Sequence, residues 1–157
     1  MHERVSGTEG YADEAEALIR QYESIRFEDV HRRVLYLFPA PPARVLDIGA
    51  GTGRDAAGFA TLGHRVVAVE PTAALRTAAM ALHASPNIEW LDDSLPDLAS
   101  VMCRGELFDL VTLRAVWMHL DELQRRRAMP HVAGLVSDRG VMTLSLRHGP
   151  CRWAGAC

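Results

Sequence analysis

The sequence predicts an α/β fold in which a parallel sheet of about five strands carries helices on both faces. Two observations predict this fold. Apolar runs of strand length alternate with segments of helical periodicity along most of the chain. The runs are continuously apolar, which is typical of parallel strands buried on both faces. The length of 157 residues favours a single domain, 1–157.

The N-terminal part, residues 1–42, is predicted to be a helical cap. Apolar residues recur at helical spacing from Ala12 to Phe38, which predicts two helices with a break near Ser24–Phe27. Pro39–Pro42 should end the second helix, because proline lacks an amide hydrogen and restricts the residue before it.

The remaining elements make up a predicted α/β core, residues 43–149, followed by an irregular tail, residues 150–157. Within the predicted helix 121–137, Pro130 indicates a bend or a break. The strands are predicted at 44–49, 64–70, 87–93, 107–116 and 139–148, and the other helices at 54–63 and 72–84.

Composition excludes several classes of function. The net charge of -3 argues against a general nucleic-acid binder, and the sequence contains no lysine for Schiff-base or P-loop chemistry. The three cysteines have no metal-binding spacing, so no metal site is expected, and they fit a reduced, cytoplasmic setting. No segment reaches the length of a membrane span, so no membrane partner is expected.

Three glycines in five residues, Gly49, Gly51 and Gly53, follow the first predicted strand of the core. A loop that leaves a parallel strand and enters a helix lies at the carboxyl edge of the sheet, where ligands bind. Glu70 ends the next strand 21 residues after Gly49, close to the offset of about 20 residues expected of an acid that binds ribose hydroxyls. The pattern therefore predicts a nucleoside site.

The identity of the nucleoside has two interpretations. The segment "GTGRDA", with Gly51, Gly53 and Ala56, fits the dinucleotide pattern loosely and would suit a nucleotide-dependent oxidoreductase. Asp47, on the strand before the loop, points elsewhere, because a carboxylate would repel a pyrophosphate and attract an amine. An adenosyl ligand that carries an ammonium and no phosphate fits Asp47 and the tight glycine spacing better.

These residues resemble a known family. "VLDIGAGTGRDA" followed by "VVAVEP" resembles motifs I and II of the class I S-adenosylmethionine-dependent methyltransferases. "NIEWLDDSLPDL", "FDLVTLRAVWMHL" and "GLVSDRGVMTLSLRHGP" resemble the later motifs, so the resemblance spans about residues 43–149. It implies a Rossmann-like fold and S-adenosyl-L-methionine as the methyl-donor cosubstrate.

The resemblance implies roles for the first two motifs. Asp47 would interact with the methionyl amino group, and Glu70 would bind the ribose hydroxyls. The loop residues that would line the methionine and ribose are Gly49, Ala50, Gly51 and Gly53.

It also implies roles farther along the chain. Asp93 or its neighbour Asp92 would accept a hydrogen bond from the adenine amine, with Asp93 preferred, although either could simply cap the following turn. Pro71 would flank the adenine. Arg114 and Ala115 would lie under the methionyl sulfur, mostly through their backbone.

The segment after the fourth predicted strand indicates how an acceptor would be treated. His119 is the best-placed candidate for a catalytic base, if the acceptor keeps a proton; the alternative is a partly buried histidine at a helix start. The fourth motif lacks the Asn/Asp-Pro-Pro-aromatic tetrad of enzymes that methylate amino groups of nucleic-acid bases. A small-molecule acceptor is therefore expected, with no nucleic-acid partner.

The sequence departs from the family at its C-terminal end. The fold has seven strands, whereas five are predicted here, so the last two strands would be lacking. We expect a shortened methyltransferase whose fifth strand is a sheet edge, through which the chain could form a homodimer. The alternative function is a catalytically weak or inactive S-adenosylmethionine-binding module that acts by association.

Overall fold

The computed structural model describes residues 15–147. The predicted tail 150–157 and the first residues of the predicted cap lie outside this range. The strands are β1 (Arg44–Ile48), β2 (Arg65–Val69), β3 (Ile88–Leu91), β4 (Phe108–Leu113) and β5 (Val136–Leu144). The α-helices are α1 (Ala15–Glu23), α2 (Phe27–His31), α3 (Arg54–Thr61), α4 (Ala73–Leu82), α5 (Ala99–Cys103) and α6 (Glu122–Gly134), and two 3-10 helices cover Leu35–Leu37 and Trp117–His119.

The five strands form one parallel sheet in the order β3-β2-β1-β4-β5. The strand order reverses between β1 and β4, so the connections after these two strands leave the sheet in opposite directions and open a crevice at its carboxyl edge. Asp47 on β1 lies level with Ala68 on β2 and with Thr112 on β4. The predicted α/β fold with a parallel sheet is confirmed.

Apolar clusters cover both faces of the sheet. On one face Phe59 of α3 packs with Val45 and Leu110 of the sheet and with Phe27 of α2. On the other face a larger cluster joins Leu46 and Ile48 of β1 to α5, α6 and the loops beside them. Helices on both faces explain why these strands are continuously apolar.

Two local predictions differ from the structure. The helix α6 continues through Pro130 to Gly134, so the predicted break does not occur. Asp121 and Gln124 form a reciprocal capping box at its start, which satisfies amides there and supports the helix despite the proline. The short helix α5 was not predicted, because its five residues are too few to show a period.

Strand β5 begins three residues earlier than predicted and contains an irregularity. Phe108 of β4 pairs with Val136 of β5, whereas Leu110 pairs with Val141, so the register shifts between these two pairs. Arg139, inside the irregular segment of β5, has a φ of 64°. Asp109 on β4 accepts hydrogen bonds from Ser137 Oγ and from the amide of Arg44, so it holds β5 and β1 in place. Within residues 15–147, no strand pairs with the outer edge of β5.

The cap contacts the core through α2 and α3. The break between α1 and α2 falls at residues 24–26, as predicted. The ring of Phe27 lies edge-on to Phe59, with ring centroids 5.0 Å apart, and covers Gly58 of α3. A side chain at position 58 would occupy the space of the Phe27 ring.

Replacing Gly58 with alanine is therefore expected to lower the free energy of unfolding by about 1–3 kcal/mol, the usual cost of overpacking. The matched control is Gly134→Ala in α6, where an added Cβ would meet no other atom within 4 Å. Urea unfolding of both variants measures the difference. Equal stability of the two variants would show that the cap does not depend on this contact.

Candidate functional site

A cavity opens at the carboxyl ends of β1, β2 and β4, at the crevice where the strand order reverses. Most of the residues predicted to form the site line it. These are Asp47, Gly49, Ala50, Gly51, Glu70, Pro71, Asp93, Arg114, Ala115 and His119. They come from four separate segments of the chain, and the parallel sheet brings them together.

Two predicted residues, Gly53 and Asp92, are not among those that line the cavity. Gly53 has a φ of 86°, and a Cβ there would press against Trp90 and His83, so this glycine allows close packing of α4 and β3 against the loop. The Asp92 side chain is about half exposed and lies 3.5 Å from Arg76. Their roles toward a ligand stay predictions.

The glycine loop is held by its own backbone. The amides of Gly49 and Ala50 both donate to the carbonyl of Val69 on β2, at 2.9 Å. Gly49 and Gly51 have φ values of 71° and 57°, which side-chain-bearing residues rarely adopt. The loop therefore presents backbone, with no side chains at these two positions, to the cavity.

Asp47 is buried at the floor of the cavity. Thr112 donates a hydrogen bond to its Oδ1 at 3.2 Å, whereas its buried Oδ2 has no hydrogen-bond partner. Burial, together with the nearby charge of Asp55, raises the pKa of Asp47 to about 8. A carboxylate in this state can accept a proton or bind a cation.

Glu70 is also buried, but both of its oxygens are engaged. Oε1 accepts from the amide of Gly51 at 2.9 Å, and Oε2 accepts from the amide of Thr72 at 2.8 Å. Burial raises the pKa of Glu70, and these amide hydrogen bonds offset part of the increase. Each oxygen has a second lone pair, so the carboxylate can still accept hydroxyl donors from the cavity.

Asp93 lines the cavity and also stabilises the start of α5. Its Oδ1 accepts from the amide of Ser94 at 2.9 Å, and its Oδ2 accepts from the amide of Val101 at 3.0 Å. This is the turn-capping arrangement expected as the alternative to adenine binding. The two roles are compatible, since each oxygen keeps a lone pair.

A charged group at the start of α3 was missed by the sequence analysis. Arg54 Nε donates to Asp55 Oδ1 at 3.0 Å, and His31 Nε2 of the cap lies 3.3 Å from Asp55 Oδ2. Burial would raise the pKa of Asp55, but His31 and Arg54 outweigh it and lower the pKa. Arg54 and Asp55 follow the glycines directly in "GTGRD", which is the signal that could have identified them.

Arg114 follows β4 and lines the cavity, half-buried. Burial lowers its pKa, although the group remains a cation at neutral pH. Within the part of the chain that the structure describes, no hydrogen bond or ion pair to the Arg114 guanidinium is found. The cavity thus contains an uncommitted cation as well as the uncommitted oxygen of Asp47.

The segment after β4 completes the cavity wall. Ala115 has a φ of 54°, an uncommon conformation for a residue with a side chain, and its amide donates to Ser145 Oγ at 2.6 Å. His119 ends the 3-10 helix Trp117–His119 and faces the cavity, while Trp117 is buried in the core.

Among residues 15–147, no group of three or more His, Cys, Asp or Glu side chains is placed to bind a metal ion. None of the helices described here is both long and apolar enough to cross a bilayer.

Comparison with known families identifies the domain. The sequence profile described as a methyltransferase domain matches residues 22–156. The chain belongs to this methyltransferase domain family. Comparison with curated proteins gives no match.

Solved structures of methyltransferases share the fold of this methyltransferase domain. The N-methyltransferase NodS from Bradyrhizobium japonicum WM9, in complex with S-adenosyl-L-homocysteine, is 19% identical with a TM-score of 0.69, over 85% of this chain and 71% of NodS. A TehB-like methyltransferase from Corynebacterium glutamicum is 21% identical with a TM-score of 0.67, over 83% of this chain and 71% of that one. An O-methyltransferase family protein from Burkholderia thailandensis is 20% identical with a TM-score of 0.64, over 83% of this chain.

The methyltransferase domain described here is short beside some of the structures that it matches. It spans 43% of a putative methyltransferase from an antibiotic biosynthesis pathway of Anabaena variabilis, which is 25% identical over 73% of this chain with a TM-score of 0.56, and 39% of the Burkholderia protein.

Proposed function

We propose that this methyltransferase domain transfers a methyl group from S-adenosylmethionine to a small-molecule acceptor. The observation that carries the proposal is a pair of groups in one cavity for which no hydrogen-bond partner is found among residues 15–147: Asp47 Oδ2, which becomes an anion once its proton leaves, and the cationic Arg114 guanidinium. An α-amino acid end carries an ammonium and a carboxylate, which complement these two charges. A pyrophosphate would place negative charge near Asp47 and is disfavoured.

The rest of the cavity suits the nucleoside end of the same ligand. Glu70 has lone pairs for the two ribose hydroxyls, and the open glycine loop lets the ligand approach the backbone. Asp93 faces the same cavity and would accept from the adenine amine, with Asp92 as the less favoured candidate because it does not line the cavity. Pro71 would flank the base.

Similar structures support the choice of ligand. The NodS structure contains S-adenosyl-L-homocysteine, and the glycopeptide N-methyltransferase MtfA, 22% identical with a TM-score of 0.58, was solved with sinefungin. These ligands are properties of those proteins. For this chain the proposal depends on the charges and hydrogen-bonding groups described above.

The bound donor would supply an electrophilic methyl group on a cationic sulfur. The residues of this chain would then position the reactants for an in-line displacement, in which the acceptor lone pair forms the new bond as the carbon–sulfur bond breaks. Ala115 and Arg114 would form the wall beneath the sulfur. His119 would take the proton of an acceptor that has one to lose.

Calorimetry with three ligands tests the proposal. We expect micromolar binding of S-adenosylmethionine and S-adenosylhomocysteine and no binding of NAD, because only the first two carry the amino acid end and lack a pyrophosphate. Preferential binding of NAD would favour the oxidoreductase instead. Binding of none of the three would contradict the proposed function and favour a module that acts by association.

A further inference from the structure

The end of α1 is fastened to the glycine loop by a cluster of polar contacts. Glu23 Oε1 accepts a hydrogen bond from Thr52 Oγ at 2.9 Å. The same oxygen lies 2.8 Å from Nε2 of His83, the residue that follows α4. Beside it, Arg54 Nη1 donates to the backbone carbonyl of Tyr22 at 3.0 Å. Two segments of the core, residues 52–54 and the end of α4, therefore hold two consecutive residues of α1.

These contacts lie next to the cavity. Thr52 stands between Gly51 and Gly53, is 2% exposed, and lines the cavity together with Tyr22. Tyr22 of α1 thus forms part of the cavity wall, and its neighbour Glu23 connects α1 to the glycine loop, which would contact a bound ligand. Thr52 and His83 share one oxygen of Glu23, so both of these side-chain contacts depend on a single carboxylate, whereas the contact of Arg54 with the Tyr22 carbonyl does not.

Most of the other contacts of the cap lie farther from the cavity. Phe27 packs over Gly58 in the apolar layer beneath α3, and it would hold α2 in place whether or not Glu23 is present. Glu16, in the first turn of α1, is exposed. The loss of Glu23 should therefore release the end of α1 without unfolding the core.

We propose that Glu23 is a positioning residue that fastens α1 over the glycine loop and slows the release of an adenosyl ligand. This inference rests on the proposed function, because it assumes that an adenosyl ligand occupies the cavity lined by Tyr22 and Thr52. Glu23 itself takes no part in the methyl transfer and acts through these two residues.

The test uses the full chain with S-adenosylhomocysteine as the probe, and surface plasmon resonance to measure its dissociation rate. Glu23→Ala is expected to speed dissociation on the order of tenfold, because the variant loses the contacts of the carboxylate with both Thr52 and His83. Glu23→Gln should restore slow release, because its amide oxygen can accept from Thr52 and His83. Glu16→Ala, on the same helix, is the matched control and should release the ligand at the unaltered rate.

Hydrogen exchange of the ligand-free chain shows directly whether Glu23 holds α1 in place. Glu23→Ala should speed amide exchange in residues 15–23, and Glu16→Ala should leave it unchanged beyond its own turn. Faster exchange together with faster release supports the inference. Unchanged release by Glu23→Ala, in a chain that binds the probe, overturns the inference and leaves the proposed function standing. Failure of the unaltered chain to bind the probe overturns both.

Discussion

Binding of S-adenosylhomocysteine at pH 7 is expected to release close to one proton per site. The pKa of Asp47 is about 8 in the ligand-free chain, so at pH 7 about nine tenths of the molecules carry a proton on this carboxyl. An ammonium placed against the unpartnered Oδ2 favours the ionised form and would lower this pKa well below 7. The proton must then leave as the ligand binds.

Calorimetry in buffers with different enthalpies of ionisation measures the released proton. The apparent affinity should also rise with pH, by up to tenfold per unit, and should level off near pH 8, where Asp47 is already largely ionised in the ligand-free chain. The control is Asp47→Asn, which should bind more weakly and release no proton. Tight binding without proton release, in the unaltered chain, would contradict the proposed role of Asp47.

Stability of the ligand-free chain provides an independent readout of the same carboxyl. A pKa raised from its ordinary value of 3.8 means that the folded chain binds a proton that the unfolded chain has lost. The contribution of Asp47 to the free energy of unfolding should therefore fall as pH rises from about 4 to about 8. Asp47→Asn should lack this dependence and should be the more stable protein at pH 8, by about 1–3 kcal/mol.

Replacing Glu70 with alanine is expected to weaken adenosyl binding by about 10- to 100-fold. The substitution removes the acceptor proposed for both ribose hydroxyls, and one hydrogen bond to a charged group contributes about 1.5–3 kcal/mol. It also removes the partner of the Gly51 and Thr72 amides, so part of the loss would come from a less ordered loop. Calorimetry with S-adenosylhomocysteine measures the total effect.

A 2′-deoxy analogue separates the two contributions. The unaltered chain should bind this analogue more weakly than the ribose form, and Glu70→Ala should bind the two forms nearly equally. The matched control is Glu89→Gln, because Glu89 is exposed on β3 and pairs with Arg104 away from the cavity. An unchanged affinity of Glu70→Ala would refute the assignment of Glu70 to the ribose.

Short-range patterns in the sequence were sufficient to predict the main part of the site. The glycine spacing, the acid before it and the acid at the end of the next strand are all local to residues 47–70, and a parallel sheet must bring the ends of neighbouring strands together. The position of these residues at one edge could therefore be predicted from the order of the elements. His119 was placed by its position just after β4, and Arg114 by the resemblance to the methyltransferase family; both line the cavity.

Contacts between distant segments could not be predicted in this way. Glu23 and His83 are 60 residues apart, and His31 meets Asp55 only because α2 packs on α3. Neither pair shows a periodicity or a spacing that would predict it. The resemblance already favoured Asp93 over Asp92, and the fold adds the physical difference between them, since Asp93 is buried whereas the Asp92 side chain is about half exposed.

The sequence by itself determined the α/β class, the parallel sheet and the edge of the sheet at which the nucleoside site is proposed, because apolar periodicity and glycine placement act over a few residues. Only the tertiary structure decided the pKa of Asp47 in the cavity and the contact between α1 and the glycine loop. The pKa of Asp47 depends on burial by residues from several elements, and the contact of Glu23 with the loop depends on how α1 packs. Both are effects of distance and dielectric in three dimensions, which a linear pattern does not contain.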